Sequence, residues 1–107
     1  MATFHLGPGD RGKLISIKKN DDLVITLPEN PTTGYRWAVQ LSGDILQIKE
    51  PPVYLSVGEA VGSGGTRMFS FAANGAGDSE LTFKLHRPWE RESSSSSDMK
   101  LRIHVEL

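Results

Sequence analysis

The sequence predicts an all-β domain. Apolar residues recur at every second position through most of the chain, no stretch of ten or more residues holds a helical stripe, and turn-forming clusters punctuate the short runs. The 107 residues fit a single domain spanning 1–107.

The elements follow in order. A short alternating run, KLISIKK, precedes DLVITLP, in which Leu23, Ile25 and Leu27 share a face and Pro28 closes the strand. Tyr35, Trp37, Val39 and Leu41 alternate next, against Arg36, Ala38 and Gln40. DILQIKE and PVYLSV read as two pieces of one crossing, parted by Pro51 and Pro52, because proline donates no ladder hydrogen bond. Phe69, Phe71 and Ala73 then alternate with Met68, Ser70 and Ala72, and NGAGD at Asn74 to Asp78 predicts a hairpin whose second arm carries Leu81, Phe83 and Leu85. The last strand sets Met99, Leu101, Ile103, Val105 and Leu107 against Lys100, Arg102, His104 and Glu106. Seven or eight short strands at regular spacing predict an immunoglobulin-like two-sheet β-sandwich, with an eight-stranded barrel as the alternative.

Three connections depart from ordinary turns: ENPTTG at Glu29 to Gly34, VGEAVGSGGT at Val57 to Thr66, and RPWERESSSSSD at Arg87 to Asp98. The last two exceed hairpin length, and loops of that size tend to be functional or disordered. If successive strands run up and down, all three leave the same end of the sandwich, while the turns at Ser42 to Asp44 and at NGAGD lie opposite. Antibody variable domains gather their binding loops in this way.

Composition narrows the function classes. Twelve basic against thirteen acidic side chains give a net charge of −1, with no field to gather nucleic acid or anionic lipid. No cysteine is present, which excludes disulfides, zinc–thiolate sites and a cysteine nucleophile. No apolar run is long enough to span a membrane and no basic-then-apolar leader opens the chain, so a cytoplasmic or intracellular vesicular location is the expectation. His5, His86 and His104 lack metal-ligand spacing, and no Gly-x-Ser-x-Gly nucleophile elbow occurs. Neither an enzyme nor a metal or cofactor site is expected.

The loop residues carry more. In the first loop Pro31 fixes φ, Asn30 is pushed towards an extended conformation, and Gly34 can take the positive φ that closes the turn. Thr32 and Thr33 are stiff, hydroxyl-bearing residues suited to a rigid contact surface, and Pro31 excludes glycosylation at Asn30. Trp37 shares a strand face with Val39 and Leu41 and is expected in the core. GSGG, Gly62 to Gly65, has no following helix or lysine to make it a phosphate loop; it reads as a flexible linker or as backbone left bare for another chain to pair with. Trp89, beside Arg87 and Pro88, has the composition of an interface hot spot or of a lid folded over the sandwich end. Ser93 to Ser97 reads as solvated chain or a phosphate-accepting stretch.

Taken together, NPTTGYRW, GSGG and RPWE on alternate loops of an all-β chain resemble the chagasin-type inhibitors of papain-family cysteine peptidases. The resemblance covers essentially the whole chain. It implies a reversible competitive inhibitor, a monomer, whose three loops plug the cleft of a cathepsin L-like or cathepsin B-like enzyme. It further implies peptidase contact by Asn30, Pro31, Thr32, Thr33, Gly34 and Tyr35 over the catalytic cysteine and histidine. Gly62, Ser63, Gly64 and Gly65 would serve beside the non-primed subsites, and Arg87, Pro88 and Trp89 on the primed side. Arg36 occupies the position that the pattern leaves free, and the ERESSSSSD stretch lies outside any motif. The rival reading is an adhesion or ligand-binding module that uses the same loop end.

Overall fold

A computed structural model describes residues 2–29, 34–56, 65–86 and 97–107. Within them, eight strands form two four-stranded sheets: β1 (Thr3–Leu6), β2 (Leu14–Lys18), β3 (Asp22–Glu29), β4 (Arg36–Leu41), β5 (Leu46–Ser56), β6 (Gly65–Ala73), β7 (Gly77–His86) and β8 (Ser97–Glu106). One sheet has the order β1-β3-β6-β5 and the other β2-β8-β7-β4. This is the sandwich that the alternation predicts.

Side chains of period two fill the space between the sheets. Leu23, Ile25 and Leu27 of β3, Phe69 and Phe71 of β6, Leu81 and Phe83 of β7, and Met99, Leu101, Ile103 and Val105 of β8 are all buried. Phe69 meets Phe83 across the layers edge to face, with ring centroids 5.2 Å apart, a geometry that aligns the positive rim of one ring with the face of the other. Trp37, Val39 and Leu41 are half-buried and pack on the margin of this core. Leu107 departs from the expected alternation: it lies past the end of β8 and is exposed.

The chain opens with an element that its pattern did not announce. β1 pairs parallel with β3 as far as Ile25, a 3-10 turn at Pro8–Asp10 carries the chain over, and β2 pairs parallel with β8 in the other sheet. Asp10 secures this switch by accepting the Gly7 amide at 2.9 Å. Asp21 does the same at the β2–β3 corner, accepting the Lys18 and Ala2 amides at 2.9 Å each, while Asn20 takes a φ of 78°.

Three expectations are corrected. Pro28 does not end its strand: β3 runs on to Glu29 and pairs with β6 throughout. β1 stops at Leu6, so among the described residues no strand pairs with the upper part of β3 on that edge, and a missing amide donor there costs no ladder bond. Pro51 and Pro52 do not divide β5, which is one strand with register shifts after Ile48 and after Glu50. It lies at the edge of its sheet, where bulges and prolines are tolerated. NGAGD does not make a hairpin. β6 pairs with β3 and β5, β7 pairs with β4 and β8, and the link between them crosses from one sheet to the other. Gly77, at φ 134°, supplies the backbone that this crossing needs.

A pair on the surface of β7 and β8 makes stability respond to pH. His104 Nδ1 lies 2.6 Å from Asp78 Oδ1, and this hydrogen bond, followed by the nearby carboxylate charges, holds the imidazole above the usual histidine range. Because the folded value exceeds the unfolded value of about 6.5, the stabilisation is complete below that pH and fades as pH rises through the folded value. Both side chains are substantially exposed, so the effect is small and weakens with salt. The wild type is therefore expected to keep a higher urea midpoint than Asp78→Asn at pH 5.5 and to lose that margin by pH 9. A margin unchanged between the two conditions would contradict the assignment.

Candidate functional site

The strand directions determine where the three long connections leave the sandwich. Glu29 at the top of β3 pairs with Gly65 at the start of β6, and Gly65 pairs with Ser56 at the end of β5. On the other sheet Arg36 at the start of β4 pairs with His86 at the end of β7, and Leu85 pairs with Ser97 at the start of β8. All six loop stems therefore reach one end, as the up-and-down argument requires, and the short turns lie at the other. The first loop joins the two sheets, whereas the second and third are hairpin connections, one on each sheet.

Of the residues expected to make contact, Asn30, Pro31, Thr32, Thr33, Gly62, Ser63, Gly64, Arg87, Pro88 and Trp89 lie outside the described residues. Gly34, Tyr35 and Gly65 are described. Gly34 has a φ of 81°, the left-handed conformation expected of it. Gly65 is held in the ladder on both sides, and a Cβ there would run into the Leu55 carbonyl oxygen and stand 2.6 Å from the Tyr54 hydroxyl. The fold itself thus demands glycine at this position.

Beneath the stems is a cluster that sequence reasoning passed over. Glu29 continues the inward series of Leu23, Ile25 and Leu27, and its side chain is only 1% exposed. A carboxylate at such depth must be fully partnered. Oε1 accepts the Trp37 backbone amide at 2.8 Å, and Oε2 accepts Arg67 Nη2 at 2.7 Å and Nε at 3.1 Å. The Trp37 indole returns the gesture, donating Nε1 to the Pro28 carbonyl at 2.8 Å. Arg67 also stands over the Tyr54 ring, 5.7 Å from its centroid, within cation–π range. Residues on either side of the first loop, and beside both stems of the second, thereby share one polar anchor. Breaking a buried pair of this kind by removing one partner costs roughly 3–5 kcal/mol. The available signal was parity: Glu29 and Arg67 both fall at inward positions of strands that otherwise turn apolar residues inward.

No group of acidic or histidine side chains able to hold a metal ion occurs among the described residues. A surface cleft of about 410 Å³ is lined by Leu14, Ser42, Asp78, Ser79, Glu80, Arg102 and Ile103, towards the end opposite the loops. Ser79 Oγ donates to the Ser42 carbonyl, and Ser42 Oγ accepts the Glu80 amide, so these groups are spent on joining β4 to β7.

Comparison with known proteins agrees with this architecture. The chagasin family model of peptidase inhibitors matches residues 16–105. No curated protein sequence matches at a significant level. The crystal structure of the cysteine protease inhibitor EhICP2 from Entamoeba histolytica superposes with a TM-score of 0.90 at 21% identity, over 99% of this chain and 97% of that one. The solution structure of amebosin gives a TM-score of 0.76 at 24% identity, over 98% of this chain and 97% of that one. PbICP-C, solved in complex with falcipain-2, gives 0.55 at 19% identity, over 97% of this chain and 89% of its own.

Gly65→Ala is expected to destabilise the domain by about 1–3 kcal/mol, measured by urea unfolding, because the overlap is with main chain as well as with Tyr54. Adding Tyr54→Ala to that variant should fail to restore stability. Full recovery would mean that the tyrosine side chain alone demands the glycine.

Proposed function

The chain belongs to the chagasin family of peptidase inhibitors, and from that premise we propose that it is a reversible, competitive inhibitor of papain-like cysteine peptidases. One observation carries the reading to this chain's own residues: the stems of the three motif-bearing loops converge on one end, the first spanning the two sheets and one hairpin standing on each. A cleft enzyme is met by such an end as a slot is met by a three-part wedge.

In this reading Thr32, with Asn30, Pro31, Thr33, Gly34 and Tyr35 around it, occupies the catalytic cysteine and histidine. Gly62, Ser63 and Gly64 offer bare backbone on the non-primed side, and Arg87, Pro88 and Trp89 cover the primed side. Gly65 acts from below, as the stem that carries the second loop. A peptidase cleaves a carbonyl held close to its nucleophile in attack geometry, so a loop that fills the site without presenting one blocks the enzyme and survives. Burial of Trp89 would contribute roughly 1.5–3 kcal/mol or more. An interface of about 1,600 Å² is ample for tight binding when little loop entropy is lost on docking. The PbICP-C complex with falcipain-2 supports a cysteine peptidase as the partner class.

The test is steady-state inhibition of papain and a cathepsin L-like enzyme. Competitive inhibition is expected at submicromolar concentration, together with loss of binding when the active-site cysteine is alkylated by a bulky peptidyl group. Full enzyme activity with the inhibitor at ten micromolar would end the proposal. Trp89→Ala and Thr32→Ala should each raise Ki at least tenfold, with the melting temperature staying within a few degrees. Parallel loss of stability and inhibition would make those residues structural instead.

A further inference from the structure

We propose that Glu29 is a positioning residue for inhibition: by bridging the two sheets it sets the mouth of the first loop in the geometry that the peptidase meets, and through Arg67 it ties the second loop to the same anchor. The inference rests on the inhibitory reading above and deepens it.

Stability alone does not explain a carboxylate at this position. An inward residue above Leu23, Ile25 and Leu27 could as well be apolar, and exchanging a buried ion pair for well-packed apolar side chains is often neutral or stabilising. What an apolar residue could not do is accept a main-chain amide from the opposite sheet. Glu29 does this at Trp37, eight residues along the chain and beyond the loop. The indole of Trp37 bonds back to Pro28, so the mouth is closed by two cross-links in opposite senses, side chain to backbone each way. With both made, the two ends of the loop can neither slide past nor part from one another without breaking a short hydrogen bond.

Arg67 gives the anchor its orientation. Its Nε and Nη2 both address Oε2, which leaves Oε1 for Trp37. Arg67 sits two residues into β6 from Gly65, and the Tyr54 ring beneath its guanidinium sits two residues before Ser56. The same ion pair is therefore joined to the outgoing and returning stems of the second loop. Trp37 pairs with Leu85, the residue paired with Ser97, which brings the stems of the third loop into the network. A wedge of separate loops binds well only if its parts keep their spacing when free, and this cluster is the element that spans that spacing.

The experiment uses the intact chain and two readouts. In Glu29→Gln the carboxamide nitrogen sets donor against donor, towards Arg67 in one orientation and towards the Trp37 amide in the other. Amide hydrogen exchange at Trp37, the amide that Glu29 holds, is expected to accelerate at least tenfold, while the Leu101 amide in β8 keeps its protection. Ki for papain should rise at least tenfold in the same variant, and by less in Arg67→Lys, which keeps the charge and loses the side-on pair. Ile103→Val, a core change that lowers the melting temperature without touching the cluster, should leave Ki within twofold. Should Glu29→Gln fail to fold, Trp37→Phe, which deletes the return bond to Pro28 along with part of the ring that packs on the core margin, carries both measurements with the same expected directions, read against Ile103→Val as the packing control.

Unchanged exchange at the Trp37 amide would overturn the proposal, whatever the inhibition. Accelerated exchange with unchanged Ki would overturn it as well, since the anchor would then order the loop without serving binding. If the wild type did not inhibit papain at all, the inhibitory reading would fall on that result, and the exchange data would still decide whether Glu29 holds the loop.

Discussion

The Glu29 carboxylate is the point on which the loop end of this domain depends. A sandwich must close at its ends, where the two layers of apolar side chains run out and the chain has to cross between sheets. Here the closing is done by a charge. Glu29 accepts from Trp37 in one sheet and from Arg67 in the other, and its three bonds account for a group that could not otherwise stay so far from water. The cluster is directional where an apolar plug is not. It prescribes which atoms face each other across the gap as well as how far apart the layers stand.

Topology explains why one end is elaborate and the other plain. The chain crosses the sandwich in alternating directions, so every second connection from β3 onwards belongs to the same end. Those at the far end are short and internally bonded: Ser42 with Ser79 and Glu80, Asp21 with Lys18, Asn74 with Ile45. Construction and recognition are separated by the length of a strand. A loop sequence can change at one end with little effect on the packing that Phe69, Phe83 and Leu101 secure in the middle.

Most of the scaffold was legible because a half-buried strand writes its inward face into every second residue. The faces of β3, β6, β7 and β8 could be read in this way, as could the common end of the three loops. Pairing was less legible. A Gly-rich turn has the same composition whether it folds a strand back on its neighbour or passes it to the facing sheet, and only the partners of β6 and β7 show which. The proline pair in β5 looks like a strand break for a related reason, since an edge strand can lose donors that a central one cannot. At the candidate site, the turn role of Gly34 was visible from its neighbours. The packing role of Gly65 was not, because the atoms that exclude a side chain there belong to Tyr54 and Leu55, eleven and ten residues earlier. Glu29 and Arg67 were written at inward parity, but a charged residue beside a turn looks like a solvated one until its partner strand is known.

The irregularity of β5 bears on what the molecule can do in company. A sheet edge is an invitation to any extended chain, and a protein built to meet other proteins at one end would gain nothing from a second adhesive surface along its side. With two prolines and two register shifts, the outer rim of β5 offers no unbroken row of donors and acceptors for a neighbour to copy, even though Val53 and Leu55 show apolar side chains there. Strand-by-strand growth into fibres is interrupted in the edge itself, and crowding can bring these molecules together without zipping them along that side.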